Sequence, residues 1–580
     1  MALKKQYKNK YKAKLPIEGA RRSELLMPAG SLEKLKFAVL YGADAVYMGT
    51  PDMCMRVKSK FSLEEVIEGV NFCHEHGARA YLTLNLIAHN RDLDKLPEYI
   101  ETIRTVKPDG VIIADPGVFN YVRQHAPELS LHVSTQANVT NWMTVKYWQD
   151  QGADLVVMAR DVSYEELREV REKCPDIMIE QFVHGSMCMT YSGRCMLSNF
   201  LSERGANQGS CTNSCRWNYK LHIKLKDGTV QELEINDDNK DLFDFFLEEK
   251  FRPGELMPFE EDMRGSYILN SKDLCIMPRL DDYLSIGIDS LKVEGRGKSA
   301  YYAGVVARAY RMAIDAYYED PENWDPRHYM AELDTVGNRG YTLAFHEGRL
   351  KNISHNYEHT STIAEWEFAG IVRKVTEDAF LLEIKNKLSA GDVLEFVPPK
   401  CAETYLIRCY EYEDIKTGKV TEEIHAGYQP IVRIPFSNFD HESLNEIKKN
   451  ITPYTLIRKE SSLTKAEWER IKLDTVAQKI ELKQAPDDLY EGRLEKLQNA
   501  IDADETGRQI KSPRFGVEGC CARGCNGCRV FWDDPKYEKA RALLAERKQG
   551  ALLSSAEALE AKDIARNLEK EENDTKEKAA

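Results

Sequence analysis

The sequence predicts an α/β protein: a (β/α)8-type barrel, then a C-terminal small β-barrel domain and a helical, cysteine-containing tail. From residue 23 to about 300, short β-rich apolar runs alternate with helix-like amphipathic stretches, the pattern of parallel strands joined by crossover helices. The runs are eight in number, which suits a closed barrel. Beyond residue 360 the pattern changes to alternating strands broken by turn residues.

In chain order, residues 1–22 come first as a basic, flexible arm. Lys4, Lys5, Lys8, Lys10, Lys12, Lys14, Arg21 and Arg22 are interleaved with Tyr7 and Tyr11, against one acid, Glu18. Such a segment is either a solvated tail or an RNA-binding arm. The eight runs follow at 24–27 (ELLM), 43–49 (ADAVYMG), 79–85 (RAYLTLN), 110–114 (GVIIA), 129–135 (LSLHVST), 154–159 (DLVVMA), 177–184 (IMIEQFVH) and 289–294 (DSLKVE). The long gap before the eighth holds a cysteine-rich segment and a polar insertion, 227–264. Both fall in the loop after strand seven, on the face where such barrels put their chemistry. Residues 300–318 read as a helix, and 368–375, 379–384 and 393–397 as strands of a small β-barrel or sandwich over 360–460. A helical linker is expected over 461–510, a second cysteine cluster over 511–534, and a charged helical tail rich in Ala, Glu, Lys and Leu over 535–580.

Composition narrows the class. The chain has 580 residues, 42% hydrophobic, 9% aromatic and 30% charged, values of an ordinary globular protein of several structural units. It contains no run of roughly 20 apolar residues and no apolar signal segment near its start, so a cytoplasmic protein without membrane contact is expected. The formal charge is -14, from 80 Lys and Arg against 94 Asp and Glu, so any contact with nucleic acid must be local.

The carboxyl ends of the runs carry a polar set: Arg56, Asn85, Asp115, Gln136, Asn138, Arg160, Glu180, His184, Glu294 and Arg296. In a barrel these converge on one mouth. Their repetition at strand after strand points to a site, and Arg56, Arg160 and Arg296 suit an anionic or polycarboxylate substrate. Glu180 and His184 are the candidate proton carriers.

Fourteen cysteines without an export signal argue against a disulfide framework. Cys188, Cys195, Cys211 and Cys215 fall in a Gly/Ser/Asn-rich loop with gaps of 6, 15 and 3 residues. Only one gap matches a zinc knuckle, so a [4Fe-4S] cluster is favoured over Zn2+; Cys275 is an alternative fourth ligand to Cys215. Cys520, Cys521, Cys525 and Cys528 form a second cluster, in which a C-x3-C-x2-C spacing lies far from any first barrel strand. That position argues against radical chemistry and for either a small zinc or iron-sulfur site or no metal. Neither H-E-x-x-H nor G-x-S-x-G occurs, and residues 294–299 (EGRGKS) lack the spacing of a phosphate loop.

ELLMPAGSLEKLKFAVLYGADAVYMG, HGSMCMTYSGRC with NQGSCTNSCRW, ILNSKDLC, and GIDSLKVEGRGKS followed by NRGYT resemble peptidase family U32 over roughly residues 23–345. GDVLEFVPP and its neighbours resemble that family's C-terminal β domain. The family name implies collagenase-like proteases, hydrolases of peptide bonds. Members also include oxygen-independent hydroxylation proteins acting on tRNA, with prephenate as hydroxyl donor, on rRNA cytidine and on ubiquinone. The resemblance implies a [4Fe-4S] cluster on Cys188, Cys195 and Cys211 with Cys215 or Cys275. The expected function is therefore 5-hydroxyuridine formation at the tRNA wobble position, with tRNA and a small dicarboxylate as partners. The alternatives are an rRNA hydroxylase, a collagenase-like peptidase, or an iron-sulfur partner of another family subunit; a homo-oligomer is the remaining assembly expectation.

Overall fold

The computed structural model describes residues 11–49, 61–187, 190–192, 194, 222–224, 230–232, 245–248, 256–262, 265–267, 271–348, 366–399, 402–428, 431–438, 441–460 and 478–481. All eight expected runs form strands: β1 (Glu24–Ala29), β2 (Ala45–Gly49), β3 (Arg79–Leu84), β4 (Gly110–Ile113), β5 (Leu131–Val133), β6 (Leu155–Val157), β7 (Met178–Ser186) and β8 (Ser290–Val293). They pair in parallel in chain order, and β8 closes the ring against both β7 and β1.

Local chemistry sets both ends of the barrel. On the C-terminal side, helices open at side chains whose oxygens accept otherwise unpaired helix N–H groups: Ser31, Ser62, Asp115, Asn141, Ser163 and Ser299. Ser62 and Ser163 are completed by Glu65 and Glu166 as capping boxes. On the opposite side, an aspartate just ahead of a strand accepts from the neighbouring strand's backbone. Asp44 takes Leu25 N–H at 2.7 Å, Asp109 takes Ala80 at 2.7 Å, Asp154 takes Leu131 at 2.8 Å and Asp289 takes Ile179 at 2.8 Å. This repeated bond fixes register around the ring.

A short strand, Asp273–Cys275, runs antiparallel to the end of β7, with Cys275 opposite His184, and Tyr341–Thr342 adds in parallel. Gly185 has φ +115°, and a Cβ there would sit 2.5 Å from the Glu294 carbonyl oxygen, so only glycine lets β7 and the chain after β8 approach.

Residues 11–22 differ from the flexible arm expected of them. Tyr11 donates to Asp281 at 2.5 Å, Lys14 pairs with Asp282 at 2.6 Å, Arg21 with Asp289 at 3.0 Å and Arg22 with Asp315 at 2.6 Å. The positive charge of this stretch is thus matched by acids of the barrel's own surface helices and loops.

The expected β domain is one antiparallel sheet of nine strands: Lys419–Thr421, Tyr412–Asp414, Ile431–Pro435, Ala379–Ile384, Trp366–Val375, Leu456–Glu460, Asp392–Val397, Glu403–Cys409 and Gln478–Glu481. Its last strand interrupts the helical linker expected over 461–510, because residues 478–481 add to the edge formed by Glu403–Cys409. The sheet has its own core around Phe380, Phe396 and Tyr405, while Ile371, Val397 and Leu456 join the barrel's apolar cluster. Tyr41 of helix Leu32–Leu40's C-terminal end donates to the Val397 carbonyl at 2.6 Å and accepts from Leu456 N–H at 2.9 Å.

Barrel and sheet belong to one unit, residues 1–212, 271–350 and 361–494; a second comprises 213–270, 351–360 and 495–580. In the second, the expected insertion contains a hairpin, His222–Lys224 with Val230–Glu232, and a three-stranded antiparallel sheet, Phe245–Glu248, Leu256–Asp262 and Gly265–Tyr267. Cysteines 520–528 and the tail expected over 535–580 lie outside the described residues. Among the described residues, no helix is long and apolar enough to cross a membrane.

Candidate functional site

Strand alternation points every second side chain into the barrel. Leu26, Ala45, Tyr47, Tyr81 and Ile112 form a small apolar cluster there, separate from the main core. Around it lies a polar lining. Glu180 of β7 is fully enclosed; its Oε1 accepts from Lys292 Nζ at 2.5 Å and its Oε2 from Ser290 Oγ at 2.9 Å. The Lys292 ammonium also faces the rings of Tyr47 at 4.5 Å and Phe182 at 5.6 Å. Burial pushes its pKa below the usual lysine value, against the pull of Glu180.

Toward the other end, Glu24 pairs with Arg79 and accepts from Tyr81 at 3.2 Å. Burial raises its carboxyl to about 7, with Arg79 opposing the rise. His132 packs edge-on against Tyr81 at 4.6 Å, and burial lowers it to about 3, so it is neutral at physiological pH.

At the mouth, Arg296 is nearly buried. It donates to Thr83 Oγ1 at 3.2 Å and lies 5.8 Å from the Tyr47 ring. The Arg160 guanidinium lies 4.0 Å from the Phe182 ring and donates to the Ser186 carbonyl at 3.1 Å. Both arginines depress Lys292 further, so three cations act on one space. Glu294 accepts from Ser186 N–H at 3.3 Å. After β5, a 3-10 turn over Thr135–Ala137 presents Gln136 and Asn138, the latter left-handed at φ 56°; Gln136 Oε1 and Asn138 Oδ1 are both buried without a hydrogen-bond partner.

The structure thus brings Arg160, Arg296, Glu180, Glu294, Gln136 and Asn138 to the barrel's interior and rim, with Asn85 half-buried just past β3. Two of the expected site residues have structural surroundings of their own. Asp115, expected to bind substrate, is a helix cap: its Oδ1 accepts from Gly117 N–H at 2.8 Å and Val118 N–H at 3.1 Å, which occupies that oxygen. His184, expected to carry protons, is packed among the rings of Tyr302, Tyr310 and Tyr341, and burial lowers it to about 4, leaving a neutral core imidazole at neutral pH. Arg56, Cys188, Cys195, Cys211 and Cys215 lie outside the described residues.

Lys292, Ser290, Tyr47 and Thr83 were absent from the set predicted from strand ends. The signal that finds them is alternation inside the strands: Ser290 and Lys292 share a face with Glu294, and Lys292 is a charged residue in the middle of an otherwise apolar LKV run.

The family model for peptidase family U32 matches residues 30–356, more than half of the chain. The chain belongs to peptidase family U32. It is 38% identical over 399 residues to the tRNA hydroxylation protein P of Escherichia coli (strain K12), covering 65% of this chain and 87% of the relative. It is 36% identical over 444 residues to the tRNA hydroxylation protein P1 of Bacillus subtilis (strain 168), covering 76% and 95%. The 23S rRNA 5-hydroxycytidine C2501 synthase of Escherichia coli is 30% identical over 301 residues, covering 52% of this chain and 40% of the relative. The U32 match spans the barrel from Gly30, just past β1, through β8 and Tyr341–Thr342, so the cationic mouth lies within it.

Proposed function

We propose that this U32 protein is an RNA hydroxylase, forming 5-hydroxyuridine at the tRNA wobble position without oxygen and taking the hydroxyl group from prephenate. Relatives named for tRNA hydroxylation and rRNA hydroxycytidine synthesis support the RNA reading. The observation that carries it on this chain is the cationic mouth, with Arg160, Arg296 and Lys292 arranged about Tyr47 and Phe182. Planar guanidinium groups match carboxylates, and the adjacent rings match an apolar ring bearing them, which is the chemistry of a cyclic dicarboxylate such as prephenate.

A uridine reaches such a recess only when turned out of its stack. The partnerless oxygens of Gln136 and Asn138 are acceptors suited to a base N–H, so these two amides are the candidate readers of the base edge.

A [4Fe-4S] cluster is assigned to Cys188, Cys195, Cys211 and Cys275. Cys275 fits: it is buried opposite His184, four residues before Cys188, with Tyr310 Oη 3.9 Å and Met330 Sδ 3.8 Å from its sulfur. Burial pushes its thiol up to about 12, so ligation requires a metal to displace the proton. Cys275 is taken as the fourth ligand in this reading, with Cys215 as the alternative. When bound, the cluster supplies electron transfer or polarisation of the hydroxyl donor.

Nucleoside mass spectrometry of total tRNA from a strain lacking the gene, complemented with wild type or Cys188→Ala, tests the reading. 5-Hydroxyuridine derivatives should vanish and return only with wild type. Unchanged nucleosides, in a strain without a redundant relative, would remove the tRNA assignment and bring forward rRNA hydroxylation or proteolysis.

A further inference from the structure

Of the three cations that act on the space inside the mouth, two are arginines and one is a lysine. The difference is chemical: a guanidinium keeps its proton in any protein environment, whereas an ammonium can lose one and become a nucleophile. Lys292 alone has a carboxylate placed to take that proton, Glu180 Oε1 at 2.5 Å. Strand register sets this up, with Ser290 opposite Glu180 and Lys292 opposite Phe182 across β8 and β7. The Ser290 hydroxyl donates to Glu180 Oε2 at 2.9 Å and so holds the other oxygen away from the lysine. Tyr47, fixed by its hydroxyl bond to the Val293 carbonyl at 3.0 Å, lays its ring 4.5 Å from Lys292 Nζ, and the ring of Phe182 stands 5.6 Å from it. Arg296 lies against the same Tyr47 ring and Arg160 against the same Phe182 ring. Burial, and then the charges of Arg296 and Arg160, hold the Lys292 ammonium below the ordinary lysine range against the pull of Glu180. A desolvated lysine beside other cations is the setting in which an amine adds to a carbonyl. A buried ion pair kept only as barrel filling would carry its desolvation cost without that use.

We propose that Lys292 forms an imine with the ketone of a 2-oxo carboxylate, with Glu180 as its proton acceptor and donor and with Arg160 and Arg296 holding the acid. The inference rests on the hydroxylase reading only for the choice of prephenate, whose side chain is a 2-oxo acid. The step balances without an oxidant or reductant. The Lys292 ammonium gives a proton to Glu180 Oε1, and the nitrogen lone pair then forms a C–N bond as the carbonyl π pair moves to oxygen. A second nitrogen proton passes to that oxygen, giving a carbinolamine. Glu180 returns its proton to the hydroxyl group, the C–O bond breaks and one water leaves. Glu180 ends as a carboxylate and Lys292 as a protonated imine, so the charge facing Glu180 is the same before and after. Hydrolysis reverses the sequence and frees the lysine. Ser290, which touches only Glu180 in this scheme, is a positioning residue.

Reductive trapping on the full-length protein, with no tRNA present, tests the imine. The protein is incubated at neutral pH with prephenate, with pyruvate or with acetone, each in the presence of cyanoborohydride, which reduces an imine to a stable amine, and its peptides are mapped by mass spectrometry. Prephenate or pyruvate should leave one reduced adduct on Lys292, while acetone, which has the ketone but no carboxylate for the arginines, should leave none. Lys292→Arg should lose the adduct. Glu180→Gln removes the acid that sends the hydroxyl group off as water, and should slow trapping by about a hundredfold, the lower end of what a positioned proton-transfer group contributes. The mapping on wild type needs no variant, so the result stands even if a substitution prevents folding. No adduct on Lys292 with either acid, or labelling spread over the surface lysines alike, would overturn the imine, whether or not the protein modifies tRNA. An adduct on Lys292 in protein that leaves tRNA unmodified would keep the imine and remove the hydroxylase reading.

Discussion

Arg458 of the antiparallel sheet donates to Glu332 of helix Arg327–Asp334, its Nη2 3.1 Å from Oε2, with both side chains buried. Glu395 accepts from the same guanidinium at 2.8 Å, and Arg308 reaches the other Glu332 oxygen at 2.9 Å. The sheet is therefore joined to the barrel helices through a closed set of alternating charges as well as through Ile371, Val397 and Leu456.

Glu332→Gln should destabilise the protein by about 3–5 kcal/mol, because it leaves two buried guanidinium groups undercompensated. Burial opposes ionisation of Glu332, but Arg458 and Arg308 outweigh it and hold the carboxyl below its usual range. Its stabilisation is thus full above about pH 4.3 and is lost as pH falls through the lower folded value. Urea unfolding of wild type and variant across acidic pH measures both effects.

Lys292→Met should abolish hydroxylation and also cost about 3–5 kcal/mol, since Glu180 would remain buried without its partner. Adding Glu180→Gln should recover most of the stability and none of the activity. Parallel unfolding and nucleoside measurements separate the two roles; recovery of activity in the double variant would remove Lys292 from the site.

His184→Phe should keep the fold at neutral pH and flatten the acid branch of the stability curve. The imidazole is lowered by burial to about 4, so the unfolded chain binds more protons between about pH 6.5 and 4. Wild-type stability from this group is full above that window and falls as pH drops through it, by about 3 kcal/mol in total. Chemical unfolding midpoints of wild type and variant over this window give the difference, which should vanish at neutral pH.

Cys275→Ser should reduce iron and acid-labile sulfide in anaerobically purified protein as strongly as Cys188→Ala, whereas Cys215→Ser should retain both. Full loading of Cys275→Ser with loss in Cys215→Ser would reverse the choice of fourth ligand.

The mouth was partly legible because strand ends can be read from the sequence: Arg160, Gln136, Asn138, Glu294 and Arg296 each follow a recognisable run. Asp115 shows where that reading runs out. An acid after a strand and before Pro116 is equally a cap, and only the folded chain shows that its Oδ1 takes the Gly117 and Val118 N–H groups. His184 also follows the strand-end rule, yet it packs among tyrosines distant in sequence, which no local pattern reports.

By itself the sequence determined the eight-strand barrel, the change to an antiparallel domain and the cysteines available for a metal, because periodicity, capping and ligand chemistry are properties of neighbouring residues. The tertiary structure decided which polar groups share an interior. Glu24, Glu180, Ser290 and Lys292 lie on three strands as far as 268 positions apart in the chain, and only closure of the ring through Glu24↔Ser290 and Ser290↔Glu180 sets them side by side in one interior. The same holds for Arg79, Arg308 and Arg458, whose charges are matched by acids that sequence order does not place beside them. A charge's environment is set by burial and by partners across the fold, and both arise only when distant segments pack.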